Sequence, residues 1–310
     1  MTHGEYPDSA TEHYWRCRYG QLAGLSWGEP RNDQTIIALH GWLDNAASFG
    51  RIAPQLKGCH LVAPDLPGHG HSDWLGDGGD YLIWSGVEAI YDLINQLPLS
   101  RPPVILGHSM GSAAGLLFAG AFPQWCRGFI ALDALGPLTT PASGAPAQLA
   151  RAVRERRGIW GDMRGLRAVR ERRVRPADER KTYQSTEDAL SARLRQTPGL
   201  SADAILPVAE RNLQHTDDHC FWRTDPRLRD TSRMRLTEEQ VAAFAGALNC
   251  PALAIRAQQG LIPESLIRSR SAYFPRIEYC ELPGHHHFHL ESATSAAVAE
   301  KIMGFIQGLS

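Results

Sequence analysis

The sequence predicts an α/β protein with a doubly wound, mostly parallel sheet, and three observations carry that prediction. Short apolar runs of strand length (Thr35 to Leu39, Leu61 to Ala63, Val104 to Leu106, Gly128 to Leu132, Pro251 to Ile255) alternate with helix-like stretches such as Ala46 to Leu56 and Tyr81 to Leu97. The runs end in turns rich in Gly, His and Asp, among them His40-Gly41-Trp42-Leu43-Asp44-Asn45 and Asp65-Leu66-Pro67-Gly68-His69-Gly70-His71-Ser72. The run at Val104 to Leu106 passes through Gly107-His108-Ser109-Met110-Gly111 straight into the helical text Ser112 to Phe122.

Taken in order, the chain first alternates Trp15, Cys17 and Tyr19 with Arg16 and Arg18, which suits an antiparallel edge strand with one wet face. Gln21 to Trp27 is its expected hairpin partner across Gly20. The next strands are Thr35 to Leu39 and Leu61 to Ala63. Pro102-Pro103 then stops what precedes the strand at Val104, and Ala113, Ala114, Leu117 and Phe118 give the following helix an apolar face that ends before Pro123. A serine between glycines at such a strand-to-helix junction reads as a nucleophile elbow, because the turn is too tight for bulk beside the nucleophile. The helix behind it aims its N-terminus and the Met110 N–H at any oxyanion formed there.

After Gly128 to Leu132 and its terminal Asp133 the pattern changes. From Pro137 to Leu236 there is no clear buried strand, and arginine-dense helical text takes over, as in Ala150 to Arg157 and Leu166 to Arg175, each with an Arg-Glu-Arg-Arg core. These read as amphipathic helices with solvated arginines. Sheet text returns at Pro251 to Ile255 and Ile277 to Cys280, and Ser292 to Gly308 is the last helix. The expected organisation is a core in two parts, residues 1–136 and 237–310, with residues 137–236 inserted after Asp133 as a helical cap over the catalytic edge.

Composition narrows the function classes. The 310 residues are 43% hydrophobic and 21% charged, with a formal net charge of −1, so no global field points to nucleic acid or to a membrane surface. Only Lys57, Lys181 and Lys301 are lysines. The six cysteines (17, 59, 126, 220, 250, 280) are scattered without a Cys-x-x-Cys pair, which fits reduced, buried thiols. Met1 to Thr11 is polar and unlike a signal peptide, and no run approaches the roughly 18 apolar residues of a spanning helix, so a cytoplasmic protein is expected.

With the elbow, His40-Gly41-Trp42 and a histidine near the C-terminus together, the chain resembles the α/β-hydrolase fold family over nearly its whole length. Within it, the chain looks most like the serine hydrolase-like proteins, on His40 to Ala46, Leu132-Asp133 with Gly136-Pro137, Trp222 to Arg229, and His286 to Leu290. The resemblance implies acyl transfer by a nucleophile, a base, an orienting acid and oxyanion donors. Ser109 is the expected nucleophile. Family members carry a histidine in the last loop followed five positions later by a glutamate, and Glu291 lies five after His286, which selects His286 among His285, His286, His287 and His289. The oxyanion donors implied are the backbone N–H groups of Trp42 and Met110, with His40 propping the loop.

The acid is where the chain departs from the family's commonest pattern. The usual carboxylate after Pro251 to Ile255 is replaced by Gln258-Gln259-Gly260, and the nearest one is Glu264. Some relatives place the acid one strand earlier, where this chain has Asp133, which is preferred over Glu264. The Asp65 to Ser72 stretch is expected to shape a wall of the site, and Trp222 to Arg229 to tie the insertion to the core, with Asp225 available to Arg227 or Arg229. The function implied is a cofactor-free, metal-free serine hydrolase acting on a small-molecule carboxylic ester or thioester, without nucleic acid or membrane insertion. Carbon–carbon bond hydrolysis or perhydrolysis on the same triad, or ligand binding without turnover, are the alternatives.

Overall fold

The computed structural model describes residues 10–30, 33–76, 79–156, 180–197 and 199–309. The expected helix at Leu166 to Arg175 lies outside them. In chain order the strands are β1 (Thr11–Cys17), β2 (Gly20–Trp27), β3 (Thr35–Leu39), β4 (His60–Pro64), β5 (Val104–His108), β6 (Gly128–Leu132), β7 (Thr182–Tyr183), β8 (Leu213–His215), β9 (Cys220–Trp222), β10 (Ala252–Gln259) and β11 (Ile277–His285). The helices are α1 (Ile83–Ile94), α2 (Met110–Ala121), α3 (Ala145–Arg156), α4 (Thr186–Leu194), α5 (Ala202–Asn212), α6 (Glu238–Gly246), α7 (Glu264–Ser271) and α8 (Ser295–Gln307).

Eight strands form one sheet in the order β1-β2-β4-β3-β5-β6-β10-β11. β1 and β2 pair antiparallel from Thr11↔Ser26 to Cys17↔Gly20, as the period-two text predicts, and β2 also runs antiparallel to β4. Every other pairing is parallel. The strand order reverses at β3, which has β4 on one side and β5 on the other, so the loops leaving β3 and β5 flank the crevice where ligands of open α/β sheets bind.

β3, β4, β5 and β6 are buried along their whole length. Because side chains alternate along a strand, each of these strands feeds two cores. On one face Leu106, Ile130 and Ile255 pack with Phe49, Phe288, Val298 and Ile302. On the other Ile37, Ile105 and Phe129 pack with Ile90, Leu93 and Phe118. A continuous apolar run is what such two-sided burial demands, and it is why these strands were readable.

Two expectations differ from the structure. Ala46 to Leu56 forms two short 3₁₀ turns, Ala46–Phe49 and Ala53–Gln55, in place of one helix. Gly50 closes the first, and Pro54, which lacks an N–H, starts the second. The segment between β6 and α6 is also not wholly helical: it holds α3, α4 and α5, but β7, β9 and β8 form a small antiparallel sheet. Strands of two or three residues are too short to show a period of two.

That segment is fastened to the core through a buried ion pair. Arg211 of α5 reaches Asp65, with a nitrogen–oxygen distance of 2.8 Å and both side chains almost wholly buried, and extends to Glu12 at 2.7 Å. The Asp65 carboxylate also accepts from the Ala46 and His71 N–H groups, both at 2.8 Å, which draws the Asp65 to Ser72 loop around it. Burial alone would raise the Glu12 pKa, but His71 and Arg211 pull it down to about 2. Arg211→Met, which strands the Asp65 charge, is expected to destabilise the fold by about 3–5 kcal/mol, read as a lower urea midpoint at unchanged m-value.

Candidate active site

The site begins at the junction of β5 and α2. Ser109 caps α2 with φ 51° and ψ −114°, a left-handed conformation that few non-glycine residues adopt. The turn holds it there because the backbone leaves no alternative: a Cβ on Gly111 would stand 2.0 Å from the Leu39 carbonyl oxygen of β3. The Ser109 N–H donates to the Leu132 oxygen at 3.1 Å, which ties the elbow to the end of β6. Its hydroxyl is half-buried and makes no hydrogen bond with a described residue.

Asp133 follows β6 and is fully buried, also with positive φ (47°). Its carboxylate accepts from the Ala257 N–H at 3.0 Å and the Leu261 N–H at 3.1 Å, and His286 Nδ1 stands 2.5 Å from Oδ2. With the proton on Nδ1, the other ring nitrogen of His286 presents a lone pair, as a base for Ser109 requires. Glu264 opens α7 and pairs with Arg268 one turn on, so it faces its own helix. Gly260 shows why no acid can sit in the commoner place: a Cβ there would lie 2.1 Å from Asp133 Oδ1. The Asp133 carboxylate fills that space.

The strand ends bring His286 to the elbow. His108, the residue before Ser109, donates from Nε2 to the His286 carbonyl oxygen at 2.9 Å, and the two rings lie 4.7 Å apart between centroids. Ser109 and His286 are not hydrogen-bonded to each other in this state, and contacts of this kind commonly tighten only with substrate bound. Glu291 accepts from the Ser201 N–H and hydroxyl, both at 2.8 Å, holding the start of α5 beside the histidine loop. A cavity of about 70 Å³ opens on His286 between Thr197, Leu200, Leu261 and His287.

On the opposite side, the loop after β3 turns through Leu43, which has φ 62°. His40 props it, donating from Nδ1 to the Gly41 oxygen at 2.8 Å and accepting the Leu66 N–H at 2.9 Å on Nε2. Neither the Trp42 nor the Met110 backbone N–H donates to a described residue, so both remain available as donors.

A residue type profile for the alpha/beta hydrolase fold matches residues 34–293. The chain belongs to the α/β hydrolase fold family. The hydrolase is 28% identical to a probable serine hydrolase of Drosophila melanogaster, over 97% of this chain and 88% of that one. It is 26% identical to a serine hydrolase-like protein of Danio rerio, over 96% and 89% of the two chains. Among solved structures, a hypothetical protein of Pseudomonas aeruginosa PAO1 superimposes with a TM-score of 0.84 at 34% identity, over 96% of this chain and 99% of that one.

The hydrolase site holds one further carboxylate to which the sequence gives no role. Asp44 is fully buried; it accepts from Arg193 of α4 at 2.9 Å, with His287 Nε2 at 3.3 Å and His108 Nδ1 at 3.9 Å. Burial alone would raise its pKa, but His287, Arg193 and His108 hold the carboxyl well below the usual range. Burial and the neighbouring histidines push the His108 pKa well below its usual value, and burial pushes His289 down to about 3. No separate sequence signal marks Asp44, which stands in a turn already holding His40 and Asn45; Arg193 and His287 come from 149 and 243 positions away. The histidines diverge, with His286 on Asp133 and His287 on Asp44, and among the described residues no three His, Cys, Asp or Glu side chains converge as a metal site needs. No helix among the described residues is long and apolar enough to cross a membrane.

Proposed function

We propose that this α/β hydrolase is a serine hydrolase that cleaves a carboxylic ester or thioester through an acyl-enzyme, without a cofactor. The observation that carries the reading is the 2.5 Å contact of Asp133 with His286 Nδ1, beside a serine held at φ 51° on the elbow. In this reading His286 takes the Ser109 proton as Oγ attacks the substrate carbonyl carbon, forming the tetrahedral oxyanion. The Trp42 and Met110 N–H groups, fixed before reaction and unspent on acceptors among the described residues, stabilise that oxyanion. His286 then protonates the departing alcohol or thiol, and a water deprotonated by the same nitrogen releases the acid and restores Ser109.

Residues 137–236 act in this proposal as a cap that selects substrates without supplying the triad, between core parts 1–136 and 237–310. The Arg211 to Asp65 pair and the Asp225 N–H, which donates to the Gly68 oxygen at 2.9 Å, support that placement. The six free cysteines fit a cytoplasmic location. A fluorophosphonate probe tests the reading: it is expected to label the wild-type protein once, at Ser109. A folded protein that stays unlabelled would instead assign the scaffold to ligand binding without turnover.

A further inference from the structure

Two arginines of the inserted segment meet the loop that carries Trp42. Arg193 donates to Asp44, two residues along that loop. Arg229 ends the 3₁₀ turn Pro226–Arg229 and lays its guanidinium over the Trp42 indole, 5.8 Å from the ring centroid. The arrangement is built in, because the indole Nε1 donates to the carbonyl oxygen of Leu228 at 2.9 Å and so fixes the ring beneath that turn. Trp42 is nonetheless 47% exposed, and Arg229 is exposed as well.

Among the described residues the charges around this platform do not balance. Asp225, equally placed by sequence to serve Arg227 or Arg229, binds Arg227 at 2.7 Å and accepts the Tyr81 hydroxyl at 2.7 Å. Among the described residues Arg229 is left with the indole face and no carboxylate. Arg193 shares Asp44 with His287, so the one carboxylate on the loop is already engaged. Burial of the Arg229 guanidinium first, and the nearby charge of Arg193 second, press its pKa down.

We propose that Arg229, seated on Trp42, is an anion subsite that takes a carboxylate or phosphate group carried by the ester or thioester substrate. The inference rests on the serine hydrolase reading, in which the Trp42 backbone N–H holds the oxyanion; an anion bound by the guanidinium over the same residue's ring would belong to a nearby part of the same substrate. A planar guanidinium stacked on an aromatic ring keeps its N–H fork free for two parallel bonds to a carboxylate or phosphate, which an ammonium cannot match.

The test compares two p-nitrophenyl esters, one of glutaric acid with its second carboxyl free and the other with that carboxyl methylated, on wild type, Arg229→Gln, Arg229→Lys and Arg229→Glu. Wild type is expected to prefer the anionic ester in kcat/KM by tenfold or more. Arg229→Gln should lose most of that preference, Arg229→Lys should keep part of it, and Arg229→Glu should invert it. An anionic-to-neutral ratio equal in wild type and Arg229→Gln overturns the proposal. If neither ester is turned over, fluorophosphonate labelling of Ser109 decides the serine hydrolase reading and calorimetric titration decides the subsite alone. Binding of glutarate or of coenzyme A that Arg229→Gln weakens at least tenfold upholds it, and which of the two binds tells a carboxylate from a phosphate. Binding of neither, or binding indifferent to Arg229→Gln, overturns it.

Discussion

Ser109→Ala is expected to fold as the wild-type chain does and to hydrolyse activated esters about a millionfold more slowly. Stability should be little changed because the hydroxyl has no hydrogen bond to lose among the described residues and the residue is half-buried at a helix N-terminus. The chemical loss is large because nothing beside it can replace Oγ: His108 before it is turned away to the His286 carbonyl oxygen, and Met110 after it offers a backbone donor and no nucleophile. What survives is the contribution of the oxyanion donors and of substrate binding, roughly a thousandfold to ten-thousandfold over water. Stopped-flow release of p-nitrophenol from p-nitrophenyl acetate checks this, since wild type should show a burst of one equivalent and the variant none. Near-wild-type turnover by pure Ser109→Ala would end the serine mechanism.

Asp133→Asn should cost up to about ten-thousandfold in turnover with the fold retained. An amide facing His286 Nδ1 can present N–H where the carboxylate presents a lone pair, which puts the ring proton on Nε2, and His286 can then no longer accept from Ser109. The Ala257 and Leu261 N–H groups tighten the effect, since both already claim the Asp133 oxygens and restrict the orientations an amide can take. Gly260→Ala provides an independent route to the same loss. Its methyl group would stand 2.1 Å from Oδ1 and must push the carboxylate off the histidine, although no chemical group has been removed. Glu264→Gln should leave turnover almost unchanged, because that carboxylate serves Arg268. Measured kcat/KM for the three variants, alongside near-ultraviolet circular dichroism to establish folding, separates these outcomes. Asp133→Asn within tenfold of wild type would remove Asp133 from the mechanism.

The fold was legible where burial on both sheet faces forces unbroken apolar strands, as at β3, β5 and β6, and where close backbone approach demands glycine, as at Gly111. Asp133 could be singled out because the end of a parallel strand fixes where its side chain emerges, whereas Glu264 carries the mark of a helix first turn. The reason Gly260 replaces the usual acid was not legible, since the close approach of Asp133 involves a residue 127 positions away. Nor were the partners of Asp44: Arg193 and His287 are ordinary residues in their own segments, and only the tertiary fold brings them to a buried carboxylate. The small sheet of β7, β8 and β9 escaped because its strands are too brief to carry a pattern.

The two buried carboxylates that face the inserted segment limit how this enzyme can open. Asp65 and Asp44 each hold an arginine from that segment, Arg211 on α5 and Arg193 on α4. Swinging the segment away as a rigid body would take Arg211 from Asp65, at about 3–5 kcal/mol, and would leave Asp44 with only His287 and His108. A molecule so opened would be rarer than roughly one in a hundred. Substrate and product are therefore expected to pass while the Arg211 to Asp65 pair stays closed, through motions of side chains and short turns at the rim, and turnover should tolerate a covalent crosslink between α5 and the loop bearing Asp65.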